Sequence, residues 1–454
     1  MKAKQRHPLI VGTFILTATG IVSRIIGFLY RIYLSRLFGE EGMGIYQLLS
    51  PVLSLSFSLT AAGYQTAISK LVAEQAATSK KPSLRPLVLG LLVSLPLSLA
   101  CNAVLFLFAD QVSASLLQEP RTASMLRILS FSVPLSAVHS CINGYFYGIK
   151  KAGVPAGAQL LEQVARVGCV YIVSSRILAA GRTPSISVAV LGLTVGEFAS
   201  MLLTIAAIWP DGIPAFRRPR DSRRQPFHVP SRLSGPSGSA LWGKLMAMAL
   251  PLTANRIVLN LLQSVEAVSI PAKLRLYGYD TATSLSVYGV FTCMAMPFIY
   301  FPNALTSSVA VLLLPIISEN YALGNMGAVR SATVRTVKYC GLMGFGCLGF
   351  FVLFGGWIGT NVFDSPLAGY FITTLGFICP FLYLDTTLSS ILQGLGLAGH
   401  TFVMNVVCLL VRLAFVFLAV PQVGVRGFLW GLLVSQLTLG VLYLGCLYRF
   451  LQKK

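Results

Sequence analysis

Two arginines lie inside the first long apolar stretch of the chain, residues 12–37, where charged side chains are unexpected. Arg24 is at the middle of the stretch, and Arg31 follows seven residues later on nearly the same helical face. A charge at mid-bilayer costs about 2.5–3.5 kcal/mol on insertion scales. We therefore expect this face to line a protein-walled, wet cavity, in which paired guanidinium hydrogen bonds can bind an anion such as a phosphate.

Apart from the Lys and Arg that are counted with the connecting segments, the apolar stretches hold eight basic and four acidic residues. The basic residues are Arg24, Arg31, Lys70, Arg127, Arg166, Arg176, Arg256 and Arg412. Lys70 and Arg176 lie near the ends of their stretches, where long side chains reach the interface. The predicted substrate-binding residues are Arg24, Arg31, Arg256, Arg127 and Arg412.

The four acidic residues at this depth are Glu162, Glu197, Glu266 and Asp385. Glu162 precedes Arg166 by four positions, which predicts a structural ion pair along one helix. Glu266 and Asp385 have no basic residue three or four positions away. Each therefore needs a partner on another helix, a water, a bound cation or a proton, and both are candidates for ion coupling. Small residues surround Glu197, which favours a helix contact.

Composition places the chain in the membrane. It has 454 residues, of which 55% are hydrophobic and 11% charged, with a mean hydropathy of +0.75. Soluble domains carry about 25% charged residues. The nine cysteines fall in apolar stretches without CxxC spacing, which is typical of core residues rather than disulfides or metal ligands.

Motifs for catalysis are missing from the sequence. It has no Walker loop, no HExxH and no Gly-x-Ser-x-Gly, and it shows no cluster of Asp, Glu and His at one membrane face. We therefore expect a transporter rather than an enzyme. No cofactor is expected, and coupling to a monovalent cation or to the membrane potential stays open.

Apolar stretches of about 20 residues or more predict twelve transmembrane helices. They are 8–33, 44–72, 86–109, 122–147, 154–178, 184–209, 241–270, 285–318, 337–358, 366–393, 400–420 and 425–448. A Pro-, Gly-, Ser- and Arg-rich segment, 210–240, reads as a cytoplasmic linker. The predicted fold is all-α, with pseudo-symmetric six-helix lobes, 1–209 and 241–454, around a central cavity.

Two further patterns support this arrangement. Tyr46 and Pro51 in the first half are echoed by Tyr288 and Pro297 in the second, which indicates parallel repeats. With both termini in the cytoplasm, the inner connecting segments hold 21 Lys and Arg and the outer segments hold six. This bias fits the positive-inside rule, so we assign the net charge of +21 to orientation and to anionic lipid, not to nucleic acid.

Several motifs resemble a known family. They are Ser23-Arg24-Ile-Ile-Gly27-Phe28, Arg36-Leu-Phe-Gly39, Gly42-Met-Gly-Ile-Tyr46-Gln47, Asn143-Gly-Tyr-Phe-Tyr-Gly148, Gln159-Leu-Leu-Glu162-Gln163-Val-Ala-Arg166, the block from Tyr288-Gly289 to Ser318-Glu319, and Leu392-Gln393-Gly-Leu-Gly396. The chain is similar over nearly its whole length to the stage V sporulation protein B family of polysaccharide flippases, within the multidrug/oligosaccharidyl-lipid/polysaccharide exporter superfamily.

The resemblance implies a flippase for undecaprenyl-pyrophosphate-linked saccharides, such as cell-wall, peptidoglycan or spore-cortex precursors, in the bacterial cytoplasmic membrane. Related lipid II flippases match at Arg24, but their second arginine would fall at Tyr30, and their acidic residue near Ile45 has no counterpart. They also have fourteen helices. Cell-wall synthases are candidate partners. Two alternatives are a cation-coupled multidrug exporter and a membrane scaffold for cell-wall enzymes.

Overall fold

A computed structural model describes residues 8–78, 83–216 and 238–452, and every regular element within these ranges is a helix. In the first half of the chain the α-helices are α1 (Pro8–Leu48), α2 (Ser50–Phe57), α3 (Gly63–Thr78), α4 (Arg85–Leu107), α5 (Ala109–Gln111), α6 (Ala123–Ser130), α7 (Ser132–Gly148), α8 (Gly153–Ala179) and α9 (Ser187–Phe216). In the second half they are α10 (Gly238–Tyr277), α11 (Thr281–Gly289), α12 (Met296–Tyr300), α13 (Asn303–Ala322), α14 (Met326–Phe363), α15 (Pro366–Leu375), α16 (Cys379–Gly394), α17 (Ala398–Leu418), α18 (Val420–Val423) and α19 (Val425–Gln452). Single π-helical turns lie at Ser58–Ala62, Val112–Leu116 and Val290–Ala295, and 3₁₀ turns at Pro120–Thr122 and Gly376–Ile378.

Eleven helical runs within the described residues are long and apolar enough to cross a membrane. One of them, Ala18–Ala76, combines the first two predicted spans. The predicted span 154–178 is present as helix α8, but it is not one of the eleven. Its charged residues, which include Glu162, Arg166 and Arg176, make it less apolar than the others. All of the twelve predicted stretches are helical, so the prediction of an all-α polytopic membrane protein is confirmed.

The boundaries of some spans differ from the predicted ones. The predicted span 285–318 is divided into two runs, Thr281–Tyr300 and Asn303–Ala322. The break coincides with Pro302, which has no backbone N–H to continue the helix. Helices α9 and α10 also extend into both ends of the predicted linker 210–240, whose central part, 217–237, lies outside the described residues.

Helix α1 is broken at one residue. Gly39 has φ 69° and ψ −177°, a backbone conformation that favours glycine because a Cβ atom would be strained there. The chain thus turns sharply between the first apolar stretch and the second. Arg36 and Glu40 flank this break, and their contacts are described below.

Contacts within the chain group it into two compact units. Unit 1 comprises Met1–Ile26 and Leu49–Leu261, and unit 2 comprises Gly27–Leu48 and Leu262–Lys454. This grouping differs from the predicted lobes 1–209 and 241–454 in two segments: Gly27–Leu48 groups with the later helices, and the part of α10 before Leu262 groups with the earlier ones. Gly27–Leu48 contains the charged connection between the first two predicted spans, and no local pattern predicts that it groups with the later helices.

Each unit has its own apolar core. In unit 1, helices α3, α4 and α7 pack together around buried side chains that include Ile68, Phe146 and Leu245. In unit 2, helices α13, α16 and α19 bury Ile317 and Tyr443 in an equivalent cluster. In both cases the buried faces are formed by side chains spaced three or four residues apart along the helices.

Gly289 marks a close approach of two backbones in unit 2. A Cβ added at Gly289 would lie 2.4 Å from both the Glu40 carbonyl oxygen and the Gly44 nitrogen. We expect Gly289→Ala to lower the free energy of unfolding by about 1–3 kcal/mol, because the two backbones must move apart. Thermal unfolding followed by circular dichroism in detergent measures this effect.

The matched control is Gly346→Ala, since nothing lies within 4 Å of a Cβ added at Gly346. We expect that variant to unfold at or above the wild-type temperature, because alanine is the better helix former. Equal unfolding temperatures for the two variants would contradict the close approach at Gly289.

Candidate functional site

Arg24 and Arg256 are exposed in the structure and belong to the same unit, unit 1. Within the described part of the chain neither side chain has a hydrogen bond or an ion pair. Arg24 lies on α1 next to Ser23, whose hydroxyl is buried. Two guanidinium groups without carboxylate partners, on apolar helices, are free to bind an anionic group.

Arg256 shares a helical face with two residues that hold α10 against the start of α3. Asn260 donates a hydrogen bond to the Ser58 hydroxyl, and a Cβ added at Gly63 would lie 2.0 Å from Thr253 Oγ1. Thr253, Arg256 and Asn260 are spaced i, i+3 and i+7, which places them on one side of the helix. Arg256 is therefore positioned beside the π-helical turn Ser58–Ala62.

Arg31 lies in unit 2 and is half-buried. Its Nη1 atom lies 3.5 Å from the carbonyl oxygen of Thr292, in the π-helical turn Val290–Ala295. A π turn misaligns the backbone hydrogen bonds of a helix, so a side-chain donor can reach its carbonyls. This contact is long, and most of the donors of Arg31 remain available.

Two further predicted substrate-binding residues have carboxylate partners. Arg127 Nη2 lies 2.6 Å from Asp110 Oδ2, and the two side chains are 43% and 69% exposed. Arg412 Nε lies 2.6 Å from Glu266 Oε1, and these side chains are only 15% and 8% exposed. The charge of Arg412 is thus neutralised inside unit 2.

The two candidate ion-coupling residues differ in whether their carboxyl group has a partner in the described residues. Glu266 pairs with Arg412 on another helix. A partner on another helix was one of the alternatives that the sequence left open for this carboxylate. Asp385 is 4% exposed, and both of its carboxylate oxygens are buried without a hydrogen-bond partner in the described residues. A Cβ added at Gly440 would lie 3.2 Å from Asp385 Oδ1, so α19 passes close to the carboxyl group.

Two ion pairs of low exposure lie on neighbouring helices of unit 1. His139 Nε2 lies 2.6 Å from Glu197 Oε2. The predicted structural pair, Glu162 and Arg166, forms an ion pair on the neighbouring helix α8. His139 and Glu197 are 58 positions apart, and no local spacing signals their contact.

A polar cavity of about 590 Å³ lies in unit 2, beside the break in α1. Arg36 Nε and Nη2 donate to the Val362 carbonyl at 3.1 and 2.9 Å, and Nη2 also donates to the Asn361 carbonyl at 3.1 Å. These carbonyls end helix α14, so the guanidinium caps its negative end. Glu40 accepts a hydrogen bond from the Ser365 hydroxyl at 2.5 Å.

Comparisons with known proteins agree with the predicted family. A family profile described as "Polysaccharide biosynthesis protein" matches residues 9–321. Stage V sporulation protein B of Bacillus subtilis (strain 168) is 29% identical over 425 residues, which are 93% of this chain and 80% of that protein. The lipid II flippase MurJ of the same organism is 21% identical over 348 residues, which are 73% of this chain and 61% of that protein.

Solved transporters share the fold. An inward-facing multidrug resistance MATE family transporter of the MOP superfamily superposes with a TM-score of 0.72 at 16% identity, over 96% of each chain. The lipid II flippase MurJ in an inward closed conformation superposes with a TM-score of 0.71 at 13% identity, over 96% of this chain and 87% of that one. The fold is that of MOP-superfamily transporters, as the sequence motifs predicted. The family profile matches well over half of the chain, and the chain therefore belongs to the polysaccharide biosynthesis protein family.

Proposed function

We propose that the protein is a flippase that moves an anionic, undecaprenyl-pyrophosphate-linked saccharide across the bacterial cytoplasmic membrane by alternating access. The saccharide is a precursor of the cell wall or of the spore cortex. The relatives support this class of substrate, because they include a lipid II flippase and a stage V sporulation protein. The chain itself contributes the positive side chains that a diphosphate requires.

The proposal rests on the exposure of Arg24 and Arg256 and on their lack of a partner in the described residues. Both are exposed in unit 1 without a partner in the described residues, although they lie in helices that are otherwise apolar. Guanidinium groups bind phosphate oxygens through two parallel hydrogen bonds, which explains arginine rather than lysine at these positions. Arg31, with a single long contact, is a third candidate ligand.

The two alternative functions predict different chemistry. A multidrug exporter for apolar cations needs free carboxylates in its binding site, whereas three of the acids within the apolar helices face a basic partner at Arg166, His139 or Arg412. A scaffold for cell-wall synthases would not depend on exposed arginines within apolar helices. Cell-wall synthases remain proposed partners that would supply or consume the lipid-linked saccharide.

Reconstitution into liposomes tests the function directly. We expect the purified protein to expose a fluorescent undecaprenyl-pyrophosphate-linked saccharide on the far leaflet, faster than protein-free liposomes do. Undecaprenol lacking the diphosphate should not be moved faster than this background. Transport of a cationic dye without movement of the lipid-linked saccharide would support the exporter instead, and activity with neither would support the scaffold.

We further propose Asp385 as the residue that couples transport to a monovalent cation or a proton. Its buried carboxyl group has no hydrogen-bond partner in the described residues, and an isolated carboxylate is unstable in an apolar interior. A bound cation or a proton resolves this cost. Glu266 is less suited to the role, because Arg412 already neutralises it.

Asp385→Asn tests this coupling. We expect the variant to insert and fold, since asparagine has nearly the same shape, but to move its substrate at a rate independent of an imposed sodium or proton gradient. The measurement is flipping in liposomes with and without each gradient. If the variant responds to the gradients as the wild type does, Asp385 is not the coupling residue.

The orientation belongs to the same proposal. The 21-to-6 distribution of Lys and Arg over the connecting segments supports an orientation with both termini in the cytoplasm. The substrate would then enter from the leaflet in which saccharides are attached to the lipid carrier.

A further inference from the structure

A groove of about 480 Å³ lies between helices α17 and α19, both of which belong to unit 2. Met404 on α17 and Val441 and Gly445 on α19 line its walls, and His400 and Arg449 also face it. Its volume is in the range of sites that bind small molecules. We call it the α17–α19 groove, and it contains none of the arginines assigned above to the substrate.

Each of the two helices presents one stripe of side chains to this groove. His400 and Met404 are four residues apart on α17, and Val441, Gly445 and Arg449 follow one another at intervals of four on α19, so each set shares a helical face. Other side chains of α19 are buried in the core of unit 2; they are Leu439, Tyr443 and Leu447. The groove side of α19 is therefore distinct from its packed side, and Val441 is 67% exposed there.

The groove runs from the depth of the lipid headgroups into the depth of the acyl chains. The runs Ala398–Leu418 and Val425–Phe450 are both long and apolar enough to cross a membrane. His400 and Arg449 lie within one turn of the ends of these runs, where the polar region of a bilayer begins. Val441 lies about 12 Å from Arg449 along α19, at a rise of 1.5 Å per residue. One end of the groove is thus basic and interfacial, and the other is apolar.

The charges of the groove favour an anionic ligand. His400 and Arg449 are exposed, and neither side chain has a hydrogen bond or an ion pair with the described residues. Neither α17 nor α19 contains Asp or Glu, so these helices offer no carboxylate to the ammonium group of a zwitterionic lipid. Guanidinium and imidazole N–H groups both donate to phosphate oxygens. Basic pockets between transmembrane helices are typical sites for anionic lipid headgroups.

We propose that the α17–α19 groove binds one anionic phospholipid of the surrounding bilayer. Its phosphodiester accepts hydrogen bonds from Arg449 and His400, and one acyl chain lies along Met404, Val441 and Gly445. On the orientation proposed above, this lipid belongs to the cytoplasmic leaflet. It is a bound partner and not the cargo, so the site does not depend on which saccharide the protein moves.

Native mass spectrometry of the purified protein, titrated with phosphatidylglycerol and phosphatidylethanolamine in parallel, tests the proposal. We expect the first phosphatidylglycerol to bind at least tenfold more tightly than the first phosphatidylethanolamine. In the double variant His400→Gln with Arg449→Gln, this preference should disappear, because the affinity for phosphatidylglycerol falls about tenfold to hundredfold when hydrogen bonds to a charged group are lost. Glycerol phosphate, which has no acyl chain, should not displace the lipid at the same concentration.

Gly445→Leu tests the apolar part of the groove while keeping both basic residues. Nothing lies within 4 Å of a Cβ added at Gly445, so the leucine side chain extends into the groove, and leucine is also the better helix former. We expect the affinity for phosphatidylglycerol to fall about tenfold, because the acyl chain loses the burial of a few methylene groups.

Arg335→Gln is the matched control, since Arg335 is an exposed arginine on α14 that does not line the groove. It should bind phosphatidylglycerol as the wild type does, and circular dichroism should show wild-type helix content in every variant. Wild-type affinity in the double variant or in Gly445→Leu would overturn the proposal, and so would an equal loss in Arg335→Gln. A lipid-free dimer in the same spectra would also overturn it, because a second copy of the chain would then cover the groove.

Discussion

Replacing Arg24 and Arg256 together with alanine should reduce the flipping rate of the undecaprenyl-pyrophosphate-linked saccharide at least a hundredfold. Each guanidinium is free of protein partners in the described residues, so its full hydrogen-bonding capacity is available to a diphosphate. A hydrogen bond to a charged group contributes about 1.5–3 kcal/mol, which corresponds to roughly a tenfold to hundredfold loss for each arginine removed. The measurement is the rate of flipping in proteoliposomes, with the amount of inserted protein determined in the same sample.

Lysine substitutions separate charge from geometry. Arg24→Lys and Arg256→Lys keep the positive charge but lose the planar, two-pronged donor, so we expect intermediate rates. Arg176→Ala is the matched control, because Arg176 is also exposed on an apolar helix of unit 1 but lies in its last turn. A doubly substituted protein that flips at the wild-type rate would refute the role assigned to these arginines.

Arg412→Ala should destabilise the protein by about 3–5 kcal/mol, since it leaves the Glu266 carboxylate buried without its cation. The pair is largely enclosed in unit 2 and its atoms are 2.6 Å apart. The free energy of unfolding, measured by tryptophan fluorescence in mixed micelles, should fall accordingly. Glu266→Ala should have a similar effect, because it leaves the guanidinium unpaired.

The double variant Arg412→Met with Glu266→Leu distinguishes a pair from two separate contributions. Replacing a buried ion pair by apolar side chains of similar volume is often neutral, so we expect most of the lost stability to return. Arg127→Ala is the control, since its pair with Asp110 is exposed and such pairs contribute only about 0–1 kcal/mol. Additive losses in the double variant would contradict a direct interaction.

The membrane fold followed from the sequence because lipid imposes a simple rule, that every long apolar stretch must be helical. The twelve stretches are helical for this reason. Local breaks were harder to predict, since proline is tolerated in many membrane helices: Pro96 lies inside α4, whereas the helix breaks at Pro302. The partition of α1 between two units depends on contacts between distant segments, which no local pattern records.

In the candidate site, too, only contacts between residues close together in the sequence could be predicted. The Glu162 and Arg166 contact was accessible from its spacing, because residues four apart on a helix are neighbours. For Glu266 the spacing left a partner on another helix, a water, a cation and a proton as alternatives. It could not indicate Arg412 as the partner, since the two residues are far apart in the chain. The contact between His139 and Glu197 joins two different helices, so spacing along one helix could not indicate it. Spacing predicts pairs along a helix, and pairs between helices require the fold.

Arg36 and Arg121 belong to the predicted outer segments, and the guanidinium group of each has partners within the protein. Arg36 caps the end of α14, and Arg121 Nε lies 2.6 Å from Glu119 Oε1. Both guanidinium groups already donate to acceptors of the protein. On the proposed orientation, each of them would therefore bind a departing pyrophosphate more weakly than an arginine without partners would.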